Sequence, residues 1–403
     1  MIRYHSAWVL PIAEPPVKDG WVTVDRGRVN AIGRGTRAAV GEAHHLGSVA
    51  ILPGLVNAHT HLELSHLRDR IPPAHEFVTW IRGVVALRRQ FPDPQADEIL
   101  RGVEEGIAES VRCGTALVGD ISNTLVTFAP LTRSALAGVV FNELIRFNAP
   151  DPEAVVGAAR AQLATLPESD RVRTSLAAHA PYSVSPLVFR AIHHDLDRYP
   201  LAPCSVHLSE SVEETAFIHD GGGPWRTFLE DVGAWDARWA PPGVSPVQYL
   251  DDLGFLDARV LAIHGVQMTA GDLARLAARG TTLVACPRSN GHTGAGAPPL
   301  ADFYASGVRV AVGTDSLAST PDLSVFAELA TMRALAPSVP ASQLLDSATR
   351  QGARALGFDA DYGTIEPGKR SRLLAVAVPD GVDDVEEYLV SGVGPEDIAW
   401  LDE

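Results

Sequence analysis

Residues 52–66 read LPGLVNAHTHLELSH. An apolar run over 50–58 is interrupted by Pro53-Gly54 and ends in His59, Thr60 and His61, with Glu63 and His66 just beyond. A strand alternates its faces, so His59 and His61 project to the same side. Imidazoles so spaced suit either a polar strand end or a metal ion. Two ligands do not make a site, so the choice depends on the rest of the chain.

Seven further runs share this texture, apolar until their last residues. They are GTALVGDIS from Gly114, GVVFNELIR from Gly138, RTSLAAHAPY from Arg173, PCSVHLSE from Pro203, VLAIHGVQM from Val260, TTLVACPRSN from Thr281 and VRVAVGTDS from Val308. Helical periodicity lies between them at 97–112, 151–166, 186–196, 270–279 and 323–335. Strands that are apolar on both faces and alternate with helices predict a parallel, covered sheet. Eight of them predict an α/β fold, a (β/α)8 TIM barrel, over residues 53–359. The first fifty residues instead alternate as short strands, with Asp25-Arg26-Gly27-Arg28 as a hairpin turn. GTIEPGKRSRLLAVAV, residues 363–378, returns to that texture. Both chain ends, 1–52 and 360–403, are expected to build one small β-sandwich domain.

Barrel active sites lie at the C-terminal ends of the strands. Those ends carry His59 and His61, then His179, then His207 with Glu210, then His264, and finally Asp315. Taken singly each is ordinary, and Asp315 in GTDS reads as a turn or helix cap. Taken together they form a set suited to metal ligation and proton transfer.

Composition narrows the partners. The chain has 403 residues, a formal net charge of -16 and a pI near 5.3. Such a charge disfavours nucleic acid and anionic membranes, and leaves a small buried substrate open. Cys113, Cys204 and Cys286 are odd in number and far apart, as expected of thiols in a reducing cytoplasm. No apolar run approaches a membrane span of roughly 20 residues, and the N-terminus lacks a signal-peptide pattern. A cytoplasmic enzyme is the expectation, and a homodimer is left open.

His59-Thr60-His61, VHLSE, AIHGV and GTDS together resemble the amidohydrolase superfamily, in its branch of mononuclear-metal deaminases. The resemblance spans essentially the whole chain, GTIEPGKRSRLL included. It implies a ligand set of His59, His61, His207 and Asp315 for one divalent ion, Zn²⁺ with Fe²⁺ as the alternative. Binuclear relatives bridge two metals through a carbamylated lysine, and no lysine occurs between residues 19 and 368. The resemblance also implies that Glu210 moves a proton from water to a ring nitrogen. His264 and Asp315 would hold the nucleophile and relay its second proton to the leaving amine. Glu210 could instead cap the following helix, a task Glu213 or Glu214 could equally perform.

Substrate contacts are read from the loops. His179 faces the pocket in the deaminases resembled. Glu63 is open between a substrate contact and a structural hydrogen bond. Arg288 and Asn290 stand in CPRSN, where Arg288 could grip a carboxylate or pair at the surface. HEFVTWIRG, residues 75–83, is either a lid with Phe77 and Trp80 over an aromatic ring or the apolar face of a helix. HTHLELS with FVTWIRG is most similar to the aminodeoxyfutalosine deaminases of menaquinone biosynthesis. Other adenine nucleosides, pterins and purines remain alternatives, as does hydrolysis of a cyclic amide or chlorotriazine ring.

Overall fold

A computed structural model describes residues 1–35 and 41–401. Residues 36–40 and 402–403, within the ranges expected for the end-built domain, lie outside the described residues. The N-terminal strands are β1 (Ile2–Val9), β2 (Val17–Asp25), β3 (Arg28–Arg34), β4 (Glu42–His45) and β5 (Val49–Pro53). The barrel strands are β6 (Leu55–Thr60), β7 (Thr115–Ser122), β8 (Ala137–Leu144), β9 (Val172–Ala178), β10 (Cys204–Leu208), β11 (Val260–His264), β12 (Thr282–Ala285) and β13 (Arg309–Val312). Two strands follow near the C-terminus, β14 (Leu373–Ala377) and β15 (Ile398–Trp400).

The eight barrel strands form one parallel sheet in chain order, β6 to β13. An isolated bridge between Thr60 and Asp315 brings its two edges together. Apolar side chains from these strands, among them Val56, Phe141, Ala177 and Ile263, pack into one core with Leu356 and Phe358. The chain ends form a second, mixed sheet of order β15-β14-β5-β1-β2-β3, with β4 beside β1. Antiparallel pairing of β14 with β5 joins the two termini. Arg26 and Gly27 both take positive φ, 48° and 73°, between paired Asp25 and Arg28. That is the two-residue turn whose twist suits a hairpin.

The run over 50–58 is divided rather than continuous. β5 joins the end-built sheet and β6 opens the barrel, with Gly54 between them. A Cβ on Gly54 would lie 2.5 Å from the Ala116 Cβ, so the two sheets meet where no side chain fits. Helices cover the barrel at Asp97–Arg112, Pro152–Leu163, Pro186–Leu196, Ala270–Arg279 and Val325–Leu335. Their starts follow ordinary capping chemistry: Asp151 accepts from the Ala154 N–H and Ser185 from the Val188 N–H. Cys113, Cys204 and Cys286 are buried free thiols, and burial pushes Cys204 up to about 12. No helix among the described residues is long and apolar enough to cross a membrane.

Candidate active site

The strand ends converge as the topology requires. His59 ends near the middle of the mouth, fully buried, with His61, His207 and Asp315 around it. Potential ligand atoms of His59, His61 and Asp315 lie within 4.8 Å of one another, as do those of His59, His207 and His264. His61 Nε2 is 3.5 Å from Asp315 Oδ1 and 3.4 Å from His207 Nε2. This closeness has a backbone basis. A Cβ on Gly313 would sit 2.8 Å from the His59 Cβ, so glycine lets β13 approach β6. Ser209, His264 and Asp315 hold positive φ of 52°, 75° and 62°, strained conformations that recur at functional sites.

Hydrogen bonds fix which nitrogens face inward. His207 Nδ1 lies 2.9 Å from the His179 carbonyl oxygen, an acceptor, so Nδ1 carries the proton and Nε2 keeps its lone pair. His264 Nδ1 likewise donates to Asn290 Oδ1 at 2.8 Å. Asp315 Oδ2 accepts from Ser289 Oγ at 2.5 Å, which leaves Oδ1 toward His59 and His61. Burial and neighbouring imidazoles hold His59 and His61 well below the usual histidine range. Burial also takes His207 down to about 4. Both His59 nitrogens are buried without a hydrogen-bond partner. Unsatisfied buried nitrogens are costly, and neutral imidazoles beside a carboxylate are the donor set of a divalent transition ion. The residues therefore fit a metal ion shared by His59, His61, His207 and Asp315.

Glu210 follows β10 on the same floor. It is buried, and its Oε1 lies 3.5 Å from His264 Nε2. Burial and the nearby Asp315 raise its carboxyl well above the usual range. Capping of the next helix falls to its neighbours. Glu214 accepts from the Ser209 and Glu210 N–H groups at 2.9 Å each, and Ser211 accepts from the Glu214 N–H. Glu210 is thus free to face the cavity.

Above this floor opens a cavity of about 670 Å³. Phe77, Trp80, Phe147, Tyr182, Trp225 and Phe228 give it aromatic walls. Phe77 and Trp80 lie on the helix Phe77–Arg88, so the apolar face of that helix is also a cavity wall. Trp225 stacks on Tyr182 with ring centroids 3.6 Å apart. His179 lines the cavity, its Nδ1 held 2.5 Å from Ser183 Oγ.

Three expected substrate contacts are corrected. Glu63 is buried and receives hydrogen bonds from Ser122, Thr124, the Asn123 N–H and Arg88, so it is a structural anchor outside the main cavity. Asn290 is fully buried and orients His264. Arg288 turns away from the mouth: Nη1 and Nη2 donate to the two Asp322 oxygens at 2.7 and 2.9 Å, beside Glu328. The physical reason is local. β12 ends at Ala285 and a helix starts at Pro287, so successive side chains rotate by a helical step instead of alternating. Arg288→Met should destabilise the protein by about 1–2 kcal/mol, below the range for a fully buried pair, because solvent reaches Asp322, which is 40% exposed. Urea unfolding tests this, and an unchanged midpoint would refute it.

A model of the amidohydrolase family matches residues 50–392. The chain belongs to that family. Among its relatives, aminodeoxyfutalosine deaminase of Deinococcus radiodurans is 34% identical over 331 residues, 78% of this chain and 75% of the relative. A 5-methylthioadenosine/S-adenosylhomocysteine deaminase of Nitratidesulfovibrio vulgaris is 31% identical over 386 residues, 90% of this chain and 80% of the relative. In structure, this amidohydrolase is similar to a zinc-bound adenosine deaminase from Xanthomonas campestris. The TM-score is 0.84 and the identity 26%, covering 98% of this chain and 90% of the other. Helicobacter pylori aminofutalosine deaminase, with methylthio-coformycin bound, shares the fold at a TM-score of 0.83 and 23% identity, over 97% and 95% of the two chains. This amidohydrolase is a hydrolytic enzyme of the deaminase kind.

The strand-end reading passed over Glu143 and Arg88. Glu143 is the penultimate residue of β8 and lies on the cavity wall, where Asn123 Nδ2 donates to its Oε2 at 2.8 Å. A carboxylate closing the apolar run VVFNEL was the available signal. Arg88 lies on a helix away from any strand end, and no spacing marks it.

Proposed function

We propose that this amidohydrolase removes the ring amino group of an adenine-type nucleoside by hydrolysis, with aminodeoxyfutalosine as the specific substrate. One observation carries the chemistry: Glu210, buried and free of capping duty, faces His264 across the floor of the aromatic cavity. The relatives named above support the nucleoside class. A cavity of about 670 Å³ lies within the range of roughly 300–1,000 Å³ that encloses drug-sized ligands, large enough for a substituted nucleoside.

In this reading His59, His61, His207 and Asp315 hold one Zn²⁺. When bound, the ion acts as a Lewis acid that brings water's pKa toward neutrality. Glu210 moves a proton from the attacking water to the ring nitrogen next to the reacting carbon. His264 and Asp315 hold that water, and Asp315 passes its second proton to the departing amine. His179 contacts the ring, and the aromatic walls stack on it and exclude solvent.

Ammonia release tests the assignment directly. Purified zinc-loaded enzyme should deaminate aminodeoxyfutalosine with a higher kcat/KM than adenosine, 5′-methylthioadenosine or S-adenosylhomocysteine. A preference for either sulfur-bearing nucleoside would overturn the specific assignment. Release from none of the four would overturn the class.

A further inference from the structure

A second cavity, of about 710 Å³, lies beside the first along β8 and the helix Pro152–Leu163. The two share one wall, built from Arg88, Asn123, Glu143, Ile145 and Arg146. Charge on that wall can be followed residue by residue. Arg88 Nη2 donates to Glu63 at 3.0 Å, and its Nη1 donates to Asn123 Oδ1 at 2.8 Å, so Arg88 is neutralised. Glu143 is buried, with its Oε2 held by Asn123. Arg146 differs. Its side chain is exposed, the hydrogen bond it makes goes to the adjacent Ile145 carbonyl, and among the described residues no carboxylate pairs with it. Its backbone is nevertheless pinned, because the Ser185 N–H donates to the Arg146 carbonyl at 2.9 Å and the residue bridges to Val184. An uncompensated guanidinium is therefore carried by an anchored stretch of backbone where two cavities meet, in a chain of net charge -16.

We propose that Arg146 binds an oxyanion, carboxylate or phosphate, on the part of the substrate remote from the reacting ring. This rests on the nucleoside reading above and names the residue that selects among such nucleosides. The ring lies over Glu210 and His264, and the rest of the molecule extends along the shared wall toward the second cavity. A planar fork of N–H donors matches either oxyanion in two-point contact. In so acidic a chain, an anionic substituent needs such a dedicated cation.

The test uses full-length, zinc-loaded wild type, R146M and R146K. Three compounds that carry a carboxylate or phosphate, aminodeoxyfutalosine, S-adenosylhomocysteine and adenosine 5′-monophosphate, are each compared with 5′-methylthioadenosine, which carries neither. In R146M at least one ratio of kcat/KM, oxyanion-bearing compound over 5′-methylthioadenosine, should fall about ten- to a hundred-fold, mainly through KM. The nucleoside affected identifies the oxyanion. R146K, which keeps the charge and loses the fork, should recover part of the ratio. Ratios equal to wild type in R146M overturn the inference, because a merely structural role would lower both terms together. Should R146M fail to fold, the R146K ratios decide by the same criterion. A wild-type enzyme that deaminates none of the four overturns the nucleoside reading instead. Calorimetric binding of S-adenosylhomocysteine to wild type and R146M then decides for Arg146, and equal affinity, or binding to neither, overturns it.

Discussion

Glu210→Gln should lose turnover by about 10²–10⁴-fold, the usual contribution of a positioned general acid–base group, while keeping its fold and its metal. The substitution is nearly isosteric and removes the ability to carry a proton. The helix that follows should stay intact, because Glu214 and Ser211 make the capping bonds. Steady-state kinetics with elemental analysis of the same sample checks both halves. Turnover near the wild-type rate would remove Glu210 from the proton path.

His207→Ala should fail differently, losing the ion and with it the activity. Wild-type protein should hold about one divalent ion per chain, and two in fully active enzyme would contradict a site without a bridging lysine. Loss of an outer-shell partner alone costs a metal site roughly 10–100-fold in affinity, so loss of a ligand should cost more than that. His207 brings β10 to the site, and its Nδ1–H bond to the His179 carbonyl aims Nε2 at His61. Chelator competition measures the affinity without reference to turnover. An H207A protein that holds metal as tightly as wild type would exclude His207 from the ligand set.

These two residues lie on one strand and its exit, and both stand out in PCSVHLSE. Strand ends were legible because each apolar run stops at a polar residue and a barrel points all such stops the same way. The helices 97–112, 186–196 and 270–279 were equally plain from their periodicity, and Ser185 and Thr269 cap the last two. Residues beyond the strands were not. Arg288 stands three residues past β12, and whether it points in or out depends on a helix beginning at Pro287. Glu63 could be resolved only once the loop 122–124 was seen to wrap its carboxylate. Arg146 closes the run GVVFNELIR, but its meaning comes from the partners it lacks.

The bridge between Thr60 and Asp315 has a mechanical side. Most neighbouring strands from β6 to β13 are joined by ladders of several pairs, whereas β6 meets the chain just after β13 at one bridge. Side chains stitch that join: Asn57 exchanges hydrogen bonds with Thr314 at 2.7 and 3.0 Å, and the His59 carbonyl accepts from the Thr314 and Asp315 N–H groups. His59 and His61 stand on one lip of this seam and Asp315 on the other. An ion shared among them would be a rivet through the seam as well as a reagent. Stripping it should loosen the cylinder along one line, so that amides of Thr60, Thr314 and Asp315 gain solvent access before those on the far side of the barrel.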